Sequence, residues 1–445
     1  MQSRQLANSI CDALQRAGFQ AYLVGGCVRD LLLGREPADY DVTTGAKPDQ
    51  VLLLFRDSVA VGAQFGVVLV KGHGTTVEVA TFREDLGYSD GRHPDQVRYA
   101  SRPEEDVSRR DFTINGLLMR HDSGEVLDFV GGQADLQARL IRAIGEPERR
   151  FREDKLRMLR AVRFAARFGY AIEPKTLAAI QARAAEIHVV SAERIQEELS
   201  KMLTEGAARR AFELLDESGL LPYVLPEISS MKGVPQPPEF HPEGDVWIHT
   251  LLMLEELPPG SSRTLAWGVL LHDVGKPPTF RPASETGDRI RFDSHVEVGV
   301  RMAGEICGRL KFSNDDAGQI QALVANHMKF KDVAQMRKST LKRFVRLPRF
   351  AEHLELHRLD CGASHGRVDA YNLVRDFLAT TPLEQVRPAR LLTGDDLNEM
   401  GYAPGPGYQK ILASLEDAQL EGTVASREQA MAFVRHHYPQ SRLSR

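Results

Sequence analysis

Two aspartates separated by a single residue, Asp39 and Asp41, are the first chemically suggestive feature of this chain. In an extended segment, residues i and i+2 face the same side, so both carboxylates can clamp the same hard cations. Upstream, the apolar run Tyr22-Leu23-Val24 ends in Gly25-Gly26, and Arg29-Asp30 follows within one turn. Glycines there let the backbone approach a ligand and turn its amides toward phosphate oxygens. Two Mg2+ ions held beside such a loop stabilise the attacking and leaving oxygens of an in-line displacement, so the stretch reads as a nucleotidyl-transfer centre. Glu78, in the alternating run 76–81, is a candidate third carboxylate.

A second constellation lies more than two hundred residues away. His249 sits in I-H-T-L-L-M-L, His272-Asp273 in L-L-H-D-V-G-K-P and Asp360 in H-R-L-D-C-G-A-S-H-G, each on or beside an apolar helical stretch. Side chains projecting from such helices into one bundle would offer imidazole and carboxylate ligands. That set suits a divalent transition metal or Mg2+ rather than a thiolate-lined zinc site.

The elements that must position these groups follow from periodicity. A helix over 4–17 stops at Gly18, and strands are expected over 21–24 and 38–43, with a helix start at 30–33 between them. A helix at about 47–55 and strands at 67–71, 76–81 and 126–129 follow. Residues 84–108 are polar and aperiodic and read as a long mobile loop, whereas 109–115 opens a helix. From 153 to about 221 the pattern is helical throughout, with a strongly amphipathic, arginine-rich run at 157–168. Prolines 222, 226, 235, 237 and 238 mark a boundary before a second helical segment at 245–370.

With 445 residues, 42% hydrophobic and 27% charged, the chain is of ordinary globular composition, enough for roughly two to four domains. A net charge of −4 excludes a uniformly basic nucleic-acid binder, but basic clusters at 149–167 and 338–346 give local faces for a phosphate backbone. Four scattered cysteines argue against a disulfide framework. No apolar run reaches membrane-spanning length and no signal-peptide core opens the chain, so a soluble, cytoplasmic protein is expected.

The order of motifs resembles the class II tRNA nucleotidyltransferase and poly(A) polymerase superfamily. The matching stretches are L-V-G-G-C-V-R-D at 23–30, D-Y-D at 39–41, F-G-V-V at 65–68, R-H-P-D at 92–95 and R-R-D-F-T-I-N at 109–115. D-F-V-G-G-Q-A-D-L at 128–136, the arginine-rich run at 152–169 and S-A-E-R-I-Q-E-E-L at 191–199 complete the set. The resemblance implies an α+β chain: a small five-stranded mixed-sheet nucleotidyltransferase head (1–140), then an all-α neck (141–220), body (221–385) and tail (386–445).

It further implies that Asp39 and Asp41 bind Mg2+, and that Gly25, Gly26 and Arg29 meet the triphosphate. Arg110, Asp111 and Asn115 would position sugar and phosphates. Asp154 and Arg157 would read the incoming base, an i, i+3 pair sharing one helical face that Arg160 and Arg163 continue. Asp41 or Glu78 would assist deprotonation of the attacking 3′ hydroxyl, no protein nucleophile being needed. The implied substrates are CTP, ATP and tRNA, gripped at acceptor stem and elbow. The implied product is C-C-A, with A-only addition or poly(A) synthesis as alternatives.

The second constellation resembles the HD phosphohydrolase superfamily over about 245–370, with His295 and His327 where some members carry ligands of a second metal. That implies a metal-dependent phosphohydrolase acting on RNA ends, either beside the transfer activity or as a main role.

Overall fold

The computed structural model describes residues 2–61, 66–87 and 96–439. Its contacts divide the chain into two compact units, the first comprising Met1–Ser230 with Leu257–Ser261 and Arg309–Phe312, the second the remainder.

The first unit opens with α1 (Gln2–Arg16) and β1 (Ala21–Val24), then α2 (Gly26–Leu32), β2 (Asp41–Thr44), α3 (Pro48–Leu54) and β3 (Ser58–Ala60). β4 (Val67–Gly72), β5 (Thr75–Thr81), β6 (Arg83–Leu86) and β7 (Gln96–Tyr99) follow, then α4 (Pro103–Ser108), β8 (Leu117–Met119) and β9 (Val126–Asp128). The sheet has seven strands, in the order β3-β4-β5-β2-β1-β8-β9, and is mixed because β2 and β5 run parallel. β1, inside the sheet between β2 and β8, buries all four residues. β5 alternates, burying Val77 and Val79 while Thr76 and Glu78 face outward, as a strand with one solvated face must.

Three expectations are corrected here. The sheet has seven strands, not five; the two extra, β3 and β8, are only three residues long, too short for a readable period. The segment 109–115 makes one 3-10 turn, Thr113–Asn115, because Phe112 is extended and bridges Ala143. The stretch 84–108 is in large part regular: β6 pairs with β7 as a separate ribbon and α4 follows. The R-H-P-D motif lies outside the described residues.

The rest of the first unit is mostly helical: α5 (Gly132–Ala138), α6 (Pro147–Glu153), α7 (Leu156–Phe168), α8 (Pro174–Arg183), α9 (Ala192–Thr204) and α10 (Ala208–Glu217), closed by short α11 (Leu221–Val224) and α12 (Pro226–Ser229). α7 packs on both α9 and α10, sinking Met158, Leu159, Val162 and Ala165.

The second unit is helical among the described residues. It contains α13 (Val246–Glu255), α14 (Arg263–Leu271), the single turns α15 (Lys276–Thr279) and α16 (Ala283–Thr286), α17 (His295–Arg309), α18 (Asn314–Asn326), α19 (Lys338–Phe344) and α20 (Phe350–Ala363). α14 packs against α13, α18 and α20, with Trp267 wholly buried among them.

Candidate active site

Two neighbouring interior strands, β2 and β5, carry the acidic residues. Asp41 begins β2 directly opposite Glu78 on parallel β5, so the two carboxylates share a face. Asp39 stands exposed just before the strand, which begins three residues later than the sequence suggests, and buried Tyr40 anchors the segment between them. Burial, then the charge of Glu78, pushes the Asp41 carboxyl up to about 6, with Arg110 opposing in part. The ligand oxygens of Asp39, Asp41 and Glu78 do not come together as a set of three within 4.8 Å, but a carboxyl whose anionic form is disfavoured without a counter-ion, with Glu78 opposite, suits a hard divalent cation.

Gly25 has φ of +77°, and a Cβ there would lie 3.2 Å from Arg110 Nη1, so glycine both makes the turn and admits that guanidinium. Arg110 is held by buried Asp106 at 3.2 Å. Arg29, almost fully buried, donates to Asp30 Oδ1 at 2.9 Å and to Asn115 Oδ1 at 2.5 Å. Asn115 donates to Asp111 Oδ1 at 3.1 Å, and Asp111 Oδ2 accepts from Arg160 Nε at 2.9 Å. Burial alone would raise the Asp111 carboxyl, but Arg160 and Asn115 override it and hold it at about 2. One polar chain thus runs from the glycine turn to α7.

Asp154 and Arg157 do not share a helical face. The helix breaks at Asp154, whose backbone is extended (φ −144°, ψ 108°), separating α6 from α7. Its carboxylate accepts from Leu156 N at 3.0 Å, capping α7, and takes a two-pronged contact from Arg194 on α9 at 2.8 and 3.2 Å. Arg157 instead pairs with Glu153 at 3.0 Å and donates to Arg109 O at 2.9 Å. Arg163 turns toward α9, pairing with Glu198 at 2.7 Å and Glu205 at 3.3 Å. The lone Asp-Lys dipeptide between two helical runs gave no break signal of the Gly or Pro kind. Arg194 and Glu198, i and i+4 on α9, went unassigned although the motif containing them was noted.

In the second unit every residue of the His/Asp set converges. His249 comes from α13, His272 and Asp273 from the end of α14, His295 from the start of α17, His327 from the end of α18 and Asp360 from α20. Candidate ligand atoms of His249, His272 and Asp360 lie within 4.8 Å of one another, as do those of Asp273, His295 and His327. Asp273 faces both groups: Oδ2 is 3.1 Å from His272 Nε2, and Oδ1 is 3.7 Å from His327 Nε2 and 4.0 Å from that of His295.

The tautomers are set from behind. Nδ1 of His272, His295 and His327 donates to the carbonyls of Val269, Phe292 and Val324 at 2.7–2.9 Å. His249 Nδ1 contacts Glu243 Oε1 at 2.7 Å. All four buried Nε2 atoms lack a hydrogen-bond partner, having only carboxylate oxygens at ion-pair range. Inward lone pairs fixed by outer hydrogen bonds are what metal-ligating histidines require, so the residues fit divalent metal. Sequence reading missed Glu243 and also His241, which contacts the same Glu243 oxygen at 2.8 Å. Gly275 is obligatory: a Cβ there would be 2.1 Å from His295 O.

Carboxylates on adjacent strands beside a glycine turn, wired to an arginine-rich helix, define the chemistry of a nucleotidyltransferase. The Poly A polymerase head domain matches residues 21–142, a probable RNA- and SrmB-binding site of polymerase A matches 169–232, and an HD domain matches 245–355. A CCA-adding enzyme of Levilactobacillus brevis is 33% identical over 434 residues, covering 96% of each chain. One from Geobacillus thermodenitrificans is 45% identical over 220 residues, 49% of this chain and 54% of that one. The crystal structure of a Bacillus stearothermophilus CCA-adding enzyme in complex with CTP superposes with a TM-score of 0.76 at 27% identity, covering 99% of both chains. The chain belongs to the CCA-adding enzyme family. Among the described residues no helix is long and apolar enough to cross a membrane.

Proposed function

We propose that the protein adds C, C and A to tRNA 3′ ends from CTP and ATP, without a nucleic-acid template, in the cytoplasm. The observation that carries this reading is the polar chain joining the Gly25–Arg29 turn, through Asn115 and Asp111, to Arg160 on the helix that follows Asp154. One rigid network holds both the phosphate-binding turn and the base-reading helix, so selection and chemistry share one frame. Full-length similarity to the L. brevis enzyme supports it.

In this reading Asp39 and Asp41, with Glu78 alongside, would hold Mg2+, which would supply positive charge to offset that developing on the phosphates. The Gly26 amide and Arg29 receive the triphosphate, Gly25, whose own amide donates to Leu117 O, supplies the turn, and Arg110 meets the α-phosphate side. Asp111 and Asn115 orient the sugar, while Glu78, the more exposed carboxylate, accepts the proton of the attacking 3′ hydroxyl. Asp154, held by Arg194, presents an acceptor to the base edge; Arg157, turned to Glu153 and the Arg109 carbonyl, fixes the start of α7, and Arg160 and Arg163 hold that surface through Asp111 and Glu198. The working division is a head over 1–140, neck over 141–220, body over 221–385 and tail over 386–445, with tRNA gripped at acceptor stem and elbow. Purified protein given tRNA lacking its C-C-A end should add two C with CTP alone and C-C-A with both nucleotides, read by sequencing. Incorporation of A alone, or an A homopolymer, would replace this reading with an A-only enzyme or poly(A) polymerase.

The four inward-facing Nε2 atoms favour a second activity, phosphohydrolysis at phosphorylated or cyclic RNA ends by a divalent metal held by His249, His272, Asp273 and Asp360, with His295 and His327 completing a second position. His272→Ala should abolish metal uptake and phosphate release while C-C-A addition persists; a cellular role lost with His272→Ala and kept with Asp41→Ala would make hydrolysis the main role.

A further inference from the structure

In the first unit a cavity of about 550 Å3 opens between the end of α2, the outer side of α5 and the C-terminal end of α7. It contains none of the residues assigned above. Its floor is aromatic: Phe168 and Tyr170 lie with ring centroids 5.7 Å apart, inclined at 47°. Arg35 and Arg139 stand at its rim, with Gln133 and Gln137 between, and no carboxylate lines it.

The two arginines differ from those around them. Arg29, Arg160 and Arg163 are each paired with carboxylates. Among the described residues, by contrast, Arg35 and Arg139 form no ion pair; Arg35 only overlies the Phe168 ring at 5.6 Å. Both are exposed, as are Gln133 and Gln137. Unneutralised guanidinium groups over an aromatic floor are the combination that binds a phosphodiester and stacks its base, and glutamine amides can meet a base edge in either polarity. The cavity is within the size range of small-ligand sites. A free nucleoside triphosphate is disfavoured, because nothing here could hold its metal ion.

Phe168 also ties the cavity to the reaction centre. The Arg29 guanidinium lies 4.6 Å from the centroid of that ring, so one side chain borders both the phosphate-binding turn and the cavity. We infer that the cavity is a subsite for one nucleotide of the RNA strand leading to the reacting 3′ hydroxyl. This rests on the proposed transfer to tRNA and adds to it a place where the primer is held, next to but separate from the incoming nucleotide.

The test uses the full-length protein, tRNA lacking its C-C-A end, and the variants Arg35→Ala, Arg139→Asn and the double variant. Asparagine is chosen because Arg139 has φ of +56°, which it tolerates. Each single change should raise KM for tRNA about three- to tenfold and lower its salt-dependence slope by about 1, as loss of one phosphate contact does. KM for CTP and kcat should stay within about twofold, Arg35→Lys should recover most of the tRNA affinity, and thermal unfolding should match wild type. A change in KM for CTP instead, or unchanged KM for tRNA in the double variant, would overturn the subsite. Absence of C incorporation by the wild type would overturn the proposed function itself, so the two failures are distinguishable.

Discussion

Asp41 should make the protein less stable in return for its chemistry, and the cost can be measured. Its carboxyl is pushed up from 3.8 to about 6 by burial and by Glu78. A shift of about two units corresponds to about 3 kcal/mol between protonation states, and its partial exposure reduces this to about 1–3 kcal/mol. The sign follows from the direction. A raised folded-state value means the folded protein prefers the proton, so the penalty is absent below the unfolded value near 4, grows between pH 4 and 6, and is complete above 6. Asp41→Asn, freed of divalent metal with a chelator, should therefore be more stable than wild type by about 1–3 kcal/mol at pH 8 and equal to it near pH 4. The probe matters, because both tryptophans, Trp247 and Trp267, lie in the second unit and are silent about the sheet. Hydrogen exchange at the Val42 and Val79 amides, both in the sheet, reports the right region. Millimolar Mg2+ should stabilise wild type and leave Asp41→Asn unmoved. Nucleotide addition by the variant should fall by roughly a thousandfold or more. A variant no more stable than wild type at pH 8 would refute the reasoning, since it would mean that Arg110 already neutralises the site.

Other outcomes follow from the same geometry. Arg160→Met strands the Asp111 carboxylate and should destabilise the first unit by about 3–5 kcal/mol in urea unfolding at pH 7. Because the Asp111 value is depressed to about 2, its wild-type contribution is present above pH 4 and lost as pH falls toward 2. Asp154→Ala should leave kcat for single additions measurable but erode discrimination against G and U by about a hundredfold, read by sequencing products from mixed nucleotides. Gly275→Ala, driving a methyl group to 2.1 Å from His295 O, should cost the second unit several kcal/mol and weaken its metal uptake; here tryptophan fluorescence is the right probe.

Legibility in the sequence followed the length of the physical signal. The β1 strand, the glycine turn and β5 could be read because four consecutive apolar residues, two glycines and a clean alternation each leave a pattern. β3 and β8 could not, since three residues complete no period, and β8 also pairs with β1 from far along the chain. The metal-ready cluster of the second unit was legible as a list of residues but not as geometry. What suits His272 and His327 to ligate a metal is the backbone carbonyl behind each ring, and no residue type encodes that. Glu243 escaped for the same reason: an acidic residue in a Pro- and Gly-rich loop resembles solvated surface until it is found against His249.

The arginines make the sharper point. Counted along the chain, Arg157, Arg160 and Arg163 resemble a helix offering positive charge to RNA. Folded, they are paired with Glu153, Asp111 and Glu198, acids that lie four to forty-nine residues away in sequence. A guanidinium already hydrogen-bonded to a carboxylate offers little net field to a phosphate, but it fixes the position of what it holds. In the proposed reading, helix α7 therefore acts as a frame for the nucleotide site more than as a phosphate-binding face. The charge available to a nucleic-acid backbone must come from arginines that the fold leaves unpaired, and Arg35 and Arg139 at the Phe168 cavity meet that condition.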